Sequence, residues 1–473
     1  MLANLLHIKG HVPGKEEEEE AVVRHTQNIA RRWYSAVVLF VLASLLFYIH
    51  KSSFPFTKTP PVTDADFWTK DLALSTKTPY LLGHRSDVAL PSGYELLQVQ
   101  HLIRHGARYP NLGEIKGINR VYEILRPIVP KSWIIDDLIN TSNAGLLAKS
   151  GEQEIAAIAE RTVLRYHQVF DRAIIMPETL QFVSSDKQRT RVSAQTFRGV
   201  LSKDNTRLSQ VRVLPQENDT TLSMHHICPT WIRDSAQLEQ YEVALETLKF
   251  DVLNGPTILW MINVRLGVSK TTLLMDDIDI IYRLCGYDLS IYQDDSRWCT
   301  LLDHTMSEYL ELRRDIAYSR LYGPYGANIN KKIACVLLTD ILKDIDSAMA
   351  NPTTAVSTFR FGHAETMSFV STLLKLEDTL GKDNAPITGN MSLSDAVDRG
   401  FKTTVIAPFS TNLVIELYRG RRRTGFFRLL LNERVVRLNG CIHDICPLHV
   451  LREKLAAHIG CDFKEVCESQ SIE

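Results

Sequence analysis

The sequence predicts an α/β fold in which a central sheet is flanked by helices and carries an inserted, smaller α-helical cap domain. Three strand-like runs each end in polar residues at a turn or at the start of a helix-like stretch. A long region with few strand signals and helical apolar spacing separates the second run from the third. The chain has 473 residues, 45% hydrophobic and 23% charged, so it can bury a large core.

The first strand-like run, residues 94–103, leads into the heptad Arg-His-Gly-Ala-Arg-Tyr-Pro at 104–110. Two guanidinium groups flank His105, and arginine presents a charged fork of donors that matches phosphate oxygens. Their charges should lower the pKa of His105 and keep its imidazole neutral and nucleophilic. Gly106 should let the backbone turn where a bulkier residue would obstruct a ligand. The heptad favours a phosphate site over an exposed basic turn or a structural histidine.

The second and third runs end in the same way. Residues 180–183 form a short apolar run, residues 184–186 supply capping side chains, and Arg189 lies in the first turns of the helix that follows. Residues 356–361 alternate like a strand, and His363 and Glu365 come before the helix-like residues 367–376. A lone His363 would more often be a core histidine. Because open α/β sheets bind ligands at the carboxyl ends of their strands, the three junctions together predict one site.

These motifs resemble a known family. Arg104-His105-Gly106-x-Arg108-x-Pro110, with Arg189 and His363, is similar to the histidine acid phosphatase branch of the phosphoglycerate-mutase-like superfamily. Most members of that branch carry His-Asp at the later histidine motif, the one that contains His363 here. The His-Ala-Glu-Thr at 363–366 is instead the form found in multiple inositol polyphosphate phosphatases. The segment 75–80 also resembles that subgroup. The resemblance covers residues 74 to the C terminus and implies a phosphoglycerate-mutase-like mixed or parallel central sheet.

The resemblance also implies roles for the site residues. His105 would attack phosphorus and form a phosphohistidine that water then hydrolyses. Arg104, Arg108 and Arg189 would bind the three equatorial oxygens, and His363 would be a further oxygen donor. Positioning and electrostatics would then carry most of the rate, as in other phosphoryl transfers. The scheme requires no cofactor and no metal.

The acid–base residue is where the chain departs from the wider branch. Ala364 stands at the position of the usual aspartate, so Glu365, one residue later, would protonate the departing inositol alkoxide and then activate water. The alternative is that Glu365 is a helix N-terminal carboxylate that interacts only with the dipole. Lys77 and Lys187 are weaker candidates for binding further phosphates of the substrate.

Composition limits the partners. The net charge of −1 and the pI near 7.0 argue against nucleic acid, so the capacity to bind anions must be local. A cluster of basic residues around the motifs would suit a polyphosphorylated substrate, although a solvated helix face is an equally good explanation for Lys187 and Arg191. Its members are Lys77, Arg85, Arg104, Arg108, Lys187, Arg189 and Arg191.

Two other motifs are assigned no chemistry. His225-His226-Ile227-Cys228 could suggest metal ligands, but adjacent histidines point in different directions, and the segment is interpreted as a loop. Residues 323–326, Gly-Pro-Tyr-Gly, are interpreted as a turn.

The N terminus is predicted to be a separate unit. Residues 33–49 contain no charged side chain and are at the short end of what spans a bilayer. Arg24, Arg31 and Arg32 precede them, which predicts a cytoplasmic tail at 1–32, a signal anchor at 33–49 and a stalk at 50–73. The chain would be a single-pass type II membrane protein with a lumenal or extracellular catalytic domain. The alternatives are a cleaved signal peptide and a segment outside the membrane.

The cysteines agree with an oxidising compartment. Short separations favour the pairs Cys441–Cys446, Cys461–Cys467 and Cys285–Cys299, although the sequence cannot fix the connectivity. Asn140, Asn218 and Asn390 are glycosylation acceptors in form. The eight cysteines are Cys228, Cys285, Cys299, Cys335, Cys441, Cys446, Cys461 and Cys467.

The predicted domain boundaries follow the apolar pattern. Residues 74–203 and 331–450 would form the α/β domain, 204–330 the cap, and 451–473 a cysteine-containing C-terminal segment. Helices are expected at 234–248, 257–268, 307–321 and 332–349. Late strands are expected at 405–408, 412–418 and 427–438, the last with a hairpin at Asn432-Glu433.

Three functions remain open on the sequence. The leading one is a membrane-anchored phosphomonoesterase that hydrolyses inositol hexakisphosphate and lower inositol phosphates, with 2,3-bisphosphoglycerate as a further substrate that the resemblance implies. The second is a membrane-bound acid phosphatase of broad specificity. The third is a catalytically silent surface binding protein on the same fold. The oligomeric state is open.

Overall fold

The computed structural model describes residues 72–80, 89–202, 207–381 and 385–468. Residues 67–473 form one compact unit. The predicted tail and anchor, and all of the predicted stalk but residues 72–73, lie outside the described residues. Within the described part, no helix is both long enough and apolar enough to cross a membrane.

A single mixed sheet of eight strands forms the centre of the unit. The strands are β1 Glu95–Arg104, β2 Leu180–Ser185, β3 Val211–Leu214, β4 Ser357–Gly362, β5 Asn412–Arg419, β6 Gly425–Leu431, β7 Arg434–Val436 and β8 Cys446–Pro447. Their order in the sheet is β3-β2-β4-β1-β5-β6-β7, and β8 pairs with β6. The four strands β3, β2, β4 and β1 are parallel to one another, whereas β5 to β8 pair antiparallel.

Helices cover both faces of this sheet, which confirms the predicted fold class. They are α1 Leu112–Leu125, α2 Asp136–Ile139, α3 Lys149–Arg165, α4 His167–Ile175, α5 Gln188–Leu201, α6 Pro229–Leu238, α7 Ala244–Arg265, α8 Met275–Tyr287, α9 His304–Leu321, α10 Cys335–Ala350, α11 Ala364–Leu374, α12 Glu377–Leu380, α13 Leu393–Asp398, α14 Thr403–Ile406, α15 Leu448–Leu455 and α16 Phe463–Glu468.

Two hydrophobic cores lie on opposite faces of the sheet. On one face, Val99 and Phe359 pack with residues of α3, α4 and α5. On the other, Leu102 and Leu413 share a larger core with α1, α8, α10 and α11. Burial on both sides explains why the central strands are almost continuously buried, as is usual for parallel strands between helix layers.

Most predicted strands are confirmed, and one is wrong. The strands predicted at 94–103, 180–183, 356–361 and 412–418 correspond to β1, β2, β4 and β5, and Asn432 and Glu433 form the turn of the β6–β7 hairpin, both with positive φ. Residues 405–408 are not a strand, because Thr403–Ile406 is a short helix that packs beside the segment at 75–77. A run of four residues such as Val-Ile-Ala-Pro at 405–408 cannot by itself distinguish these two structures.

The region between β3 and β4 is helical, as expected, but its elements differ from the prediction. The helices expected at 234–248 and 257–268 belong to a helical stretch in which α6 and α7 are joined by a π-helical turn, Glu239–Val243. The helix α8 was not predicted. In addition, β3 pairs with β2 in the central sheet although it lies inside 204–330, the range assigned to the cap. The division into α/β and cap domains stays a prediction.

All eight cysteines are in disulfides, and one predicted pair is wrong. Cys285–Cys299 and Cys441–Cys446 are confirmed. Instead of bonding to each other, Cys461 bonds to Cys335 and Cys467 bonds to Cys228. The reason is that the C-terminal segment packs back on the helical part of the unit, where Thr230 donates a hydrogen bond of 2.7 Å to the carbonyl of Cys467. Short sequence separation therefore predicts the wrong partner for Cys461 and Cys467, although it predicts the other two pairs correctly.

Candidate active site

The sheet brings the first and third predicted junctions together. β1 and β4 are adjacent and parallel, and Arg104 is paired with Gly362 at their carboxyl ends. The backbone N–H of His105 donates to the carbonyl of Gly362 over 3.2 Å. The imidazole centroids of His105 and His363 are consequently 5.8 Å apart. This is the expected position for a ligand site in an open α/β sheet.

The loop after β1 is held by tight packing against the start of α3. A Cβ on Gly106 would lie 2.3 Å from the carbonyl oxygen of Gly151, and one on Gly151 would lie 2.2 Å from that of Ala107. The expectation that Gly106 makes room for a ligand is therefore corrected, because the close neighbour is the backbone of α3. Buried Glu154, which no sequence motif singles out, accepts hydrogen bonds from the N–H of Ala107 and of Tyr80.

The position of His105 suits a nucleophile. Its Nδ1 is 2.9 Å from the carbonyl oxygen of Gly106, which can only accept, so Nδ1 carries the proton and Nε2 keeps its lone pair. Burial, and then the charges of Arg189 and Arg104, hold the pKa of His105 well below its usual range. The predicted lowering of this pKa is confirmed, although burial is its largest cause.

The three predicted arginines line one cavity with the two histidines. Arg104 donates to the carbonyls of Thr76 and Ala407 over 2.7 and 2.6 Å and lies over the Phe409 ring. Arg108 donates to Glu114 over 3.1 Å. These contacts fix the guanidinium planes, while the Nε atoms of Arg104 and Arg189 have no acceptor among the described residues.

His363 is oriented from the second junction. Its Nε2 lies 2.9 Å from Ser185 Oγ. Its Nδ1 lies 3.4 Å from Nη2 of the Arg189 guanidinium group, which can only donate. In the ligand-free geometry Nδ1 is therefore an acceptor. To donate to a phosphate oxygen, His363 must carry a proton on Nδ1, and a bound phosphate dianion favours that state.

Glu365 lies in the first turn of α11 and lines the same cavity. Burial alone would raise its pKa, but His225, His363 and the backbone N–H of its own residue lower the pKa of Glu365 to about 2. The carboxylate is therefore ionised in the free protein throughout the working range. As it stands it is a base, and it can become an acid only when the substrate's negative charge raises its pKa.

The cavity, of about 470 Å³, has a second cationic wall that no sequence motif predicted. Arg314 binds Asp279 through two contacts of 3.0 Å, and Arg283 binds the same carboxylate at 2.7 Å. Lys77, a weak candidate in the sequence, also lines this wall, 2.9 Å from Glu114. The adjacent arginines at 313–314 were the available signal in the sequence.

The remaining basic candidates are not brought to the cavity. Lys187 lies outside its lining and binds Gln216, and Arg191 pairs with Asp186 at the surface. The predicted phosphate-binding role of Lys187 is therefore not supported by its position. Arg85 lies outside the described residues.

The capping prediction for the second junction is also corrected. Ser184 and Ser185 belong to β2, and the N-cap of α5 is Lys187, whose N–H donates to Thr190 Oγ1 over 3.3 Å. Arg189 is nevertheless in the first turn of α5, as predicted.

The His225-His226 pair is a short 3₁₀ turn rather than an irregular loop. His225 is buried among Trp231, Tyr322 and Phe369. Within the described residues, no group of three His, Cys, Asp or Glu side chains could hold a metal ion. Burial lowers the pKa values of both histidines, and the nearby charge of Glu365 partly offsets this by raising them. The pair is thus next to the candidate acid–base residue.

The sheet and the arginine-lined pair of histidines define the class of protein as a histidine phosphatase. Residues 95–432 match the family model described as the histidine phosphatase superfamily (branch 2), and the chain belongs to this family. The resemblance inferred from the motifs is confirmed.

Named relatives place the chain more narrowly. It is 26% identical over 414 residues to multiple inositol polyphosphate phosphatase 1 of Gallus gallus, covering 83% of this chain and 89% of that protein. The protein of the same name from Homo sapiens is 26% identical over 384 residues, covering 72% of this chain and 75% of the other. The crystal structure of the Bifidobacterium longum multiple inositol polyphosphate phosphatase, in complex with inositol hexasulfate, superposes with a TM-score of 0.64 at 18% identity, covering 82% of this chain and 98% of that one.

Proposed function

We propose that this phosphatase hydrolyses inositol polyphosphates through a phosphohistidine on His105. The observation that carries the proposal is the cavity itself, which combines the phosphate cradle at the strand ends with a second cationic wall of Lys77, Arg283 and Arg314. A substrate with one phosphate would leave that wall unused. A substrate with several phosphates would engage both, since each cation can make a charge-assisted hydrogen bond to a phosphate oxygen. The names of the relatives agree with this substrate class.

The first step follows from the position of His105. Nε2 attacks phosphorus in line with the inositol oxygen, so that the N–P bond forms as the P–O bond to inositol breaks. Arg104, Arg108 and Arg189 neutralise the three equatorial oxygens and hold the group in line. The electron pair of the broken bond leaves with the inositol oxygen, which must take up a proton.

The second step regenerates the histidine. Water attacks the phosphorus of the phosphohistidine, the P–N bond breaks, and its electron pair returns to His105 Nε2. Glu365 is placed to supply the proton to the alkoxide in the first step and to accept one from water in the second. Because its pKa is about 2 in the free protein, the first role requires that bound substrate raises the pKa.

The proposal is tested by phosphate release from inositol hexakisphosphate and from nitrophenyl phosphate, with the variant Arg283→Met. Arg314 stays on Asp279 and Lys77 stays on Glu114 in this variant, so neither buried carboxylate loses all its partners. We expect kcat/KM for inositol hexakisphosphate to fall about 10- to 100-fold, the loss of one charge-assisted contact. The value for nitrophenyl phosphate should change little. The matched control is Arg437→Met, at an exposed ion pair.

Two outcomes would contradict the proposal. Equal kcat/KM values on both substrates, unaffected by Arg283→Met, would instead indicate an acid phosphatase of broad specificity. An absence of turnover on either substrate, in folded protein, would indicate the silent binding protein.

We also propose that residues 33–49 anchor the chain with the catalytic unit on the lumenal or extracellular side. Four disulfides support an oxidising compartment. Asn140, Asn218 and Asn390 are all exposed and accessible to glycosylation. Expression of the full chain in animal cells tests this, since an endoglycosidase should lower its apparent mass and carbonate washing should leave it in the membrane. Unglycosylated protein, or protein released by carbonate, would contradict it.

A further inference from the structure

The long helix of the insertion carries a stripe of exposed apolar side chains. The sequence pattern through Tyr241, Leu245 and Leu248 is typical of a core-facing helix, yet the structure turns these residues to solvent. The opposite side of the helix is already occupied, because Phe250, Ile258 and Ile262 lie in the core. The stripe recurs every three or four residues, or at multiples of that spacing, and its members are 52–66% exposed: Tyr241, Leu245, Leu248, Val252, Trp260 and Val264.

This stripe is unusual for a surface. Single exposed leucines are common on soluble proteins, but a contiguous apolar patch marks an interaction site. Charge is sparse along it, since the exposed charged residues between Tyr241 and Val264 are Glu242 and Lys249, and Lys249 pairs with Glu246.

We propose that a second copy of this chain docks on the stripe, as an antiparallel helix pair about a two-fold axis between Val252 and Leu253. Leu253 is itself 51% exposed. The stripe is nearly symmetric about this point, because Leu245 and Trp260 lie at equal distances from it in sequence, as do Tyr241 and Val264. An isologous interface requires such self-complementarity.

The charges at the two ends fit the same orientation. Glu239 and Glu242 lie at the N-terminal end of the stripe, and Arg265 and Lys270 follow its C-terminal end, all at exposed positions. Within the chain, Glu242 pairs with Arg320 and Arg265 pairs with Asp303. An antiparallel pair places the acidic end of one helix beside the basic end of the other, whereas a parallel pair would place like charges together. An anionic membrane would attract one end and repel the other, so the charge pattern favours a second copy.

The size of the stripe is adequate. The six side chains of the stripe and Leu253, each at least about half exposed, offer roughly 700 Å² per copy, close to the ~800 Å² per partner of a standard interface. The helix α7 is already ordered in the single chain, because Phe250, Ile258 and Ile262 pack in the core, so little ordering cost opposes association.

Cysteine cross-linking in the full chain tests the register. All eight native cysteines are in disulfides, so an introduced cysteine is the free thiol. Val252→Cys lies at the axis and should form a covalent dimer under mild oxidation. Tyr241→Cys alone should not form a covalent dimer. In a mixture of the two variants, however, Tyr241→Cys chains should cross-link to Val264→Cys chains. Equal self-linking of Tyr241→Cys and Val252→Cys would overturn the antiparallel register.

Sedimentation of residues 67–473, which contain both cores and all four disulfides, tests the association itself. The wild type should be a dimer and Leu248→Glu a monomer, with unchanged turnover of nitrophenyl phosphate. The matched control is Leu164→Glu on α3, whose side chain is 78% exposed away from the stripe, and it should stay dimeric. A wild-type monomer would overturn the proposal. If that monomer floats with anionic lipid vesicles on a density gradient and the Leu248→Glu variant does not, the stripe binds lipid instead.

Discussion

The rings of His105 and His363 are 5.8 Å apart, although the two residues are far apart in the sequence. Their proximity follows from the parallel pairing of β1 with β4, in which Arg104 lies opposite Gly362. Each histidine is the first residue after its strand, so any ligand at this edge contacts both. The site is therefore a property of the sheet register, and changes that move one strand end should impair catalysis without removing a catalytic side chain.

Gly151→Ala should lower turnover by displacing the loop that carries His105. Its new Cβ would lie 2.2 Å from the carbonyl oxygen of Ala107, backbone that cannot rotate away. We expect kcat to fall at least about 10-fold, because sub-ångström to ångström misplacement is enough for such a loss. Gly199→Ala is the control, since nothing lies within 4 Å of its Cβ; it should gain about 0.5–1 kcal/mol of stability. Normal kcat in Gly151→Ala would contradict the account.

Glu365→Gln should slow poor leaving groups far more than good ones. An inositol alkoxide needs a proton to leave and nitrophenolate does not, so the loss on inositol hexakisphosphate should exceed that on nitrophenyl phosphate by about 100-fold. Parallel steady-state measurements on the two substrates give this ratio. A uniform loss would show that Glu365 positions the substrate instead of protonating it.

The buried histidines should make the protein less stable in acid. Burial lowers the pKa of His101 to about 3, whereas an unfolded histidine titrates near 6.5. Between these values the unfolded state binds more protons, so stability is lost as the pH falls below about 6.5. At pH 5 this residue alone should cost about 2 kcal/mol relative to pH 8. His101→Leu should remove that part of the pH dependence in denaturant titrations, and an unchanged slope would refute the assignment.

The disulfides should differ in their contribution to stability. Cys335–Cys461 closes a loop with a sequence separation of 126, and Cys441–Cys446 one of 5. In the chain-entropy model, replacing both cysteines of the first pair by serine should lower the free energy of unfolding by about 5 kcal/mol. The same replacement in the second pair should lower it by about 2 kcal/mol. Chemical unfolding of the two double variants measures the difference. A larger loss for the second pair would show that the C-terminal segment is weakly docked.

The catalytic core could be predicted from the sequence because its signals are local. Each of His105, Arg189 and His363 stands beside its own strand or helix start, and parallel strands deliver such residues to one edge. The second cationic wall could not be predicted, since Arg283 and Arg314 reach the cavity only through the packing of α8 and α9.

Other errors have the same physical origin. Cys461 and Cys467 are close in sequence, but tertiary packing brings each one nearer to a distant partner. The apolar spacing of Tyr241 and Leu245 correctly indicates a helix but not which side faces the core. His225 contributes to the lowered pKa of Glu365, and only tertiary packing brings these two residues together.

The most direct test of the account is to identify the residue that carries the phosphoryl group during turnover. The full chain is mixed with inositol hexakisphosphate, quenched in alkali within one turnover, digested and mapped by mass spectrometry. The account predicts one phosphoryl group on the peptide that contains His105, at Nε2, and neither label nor turnover in folded His105→Ala. A phosphoryl group on another residue, or turnover in His105→Ala, would contradict it.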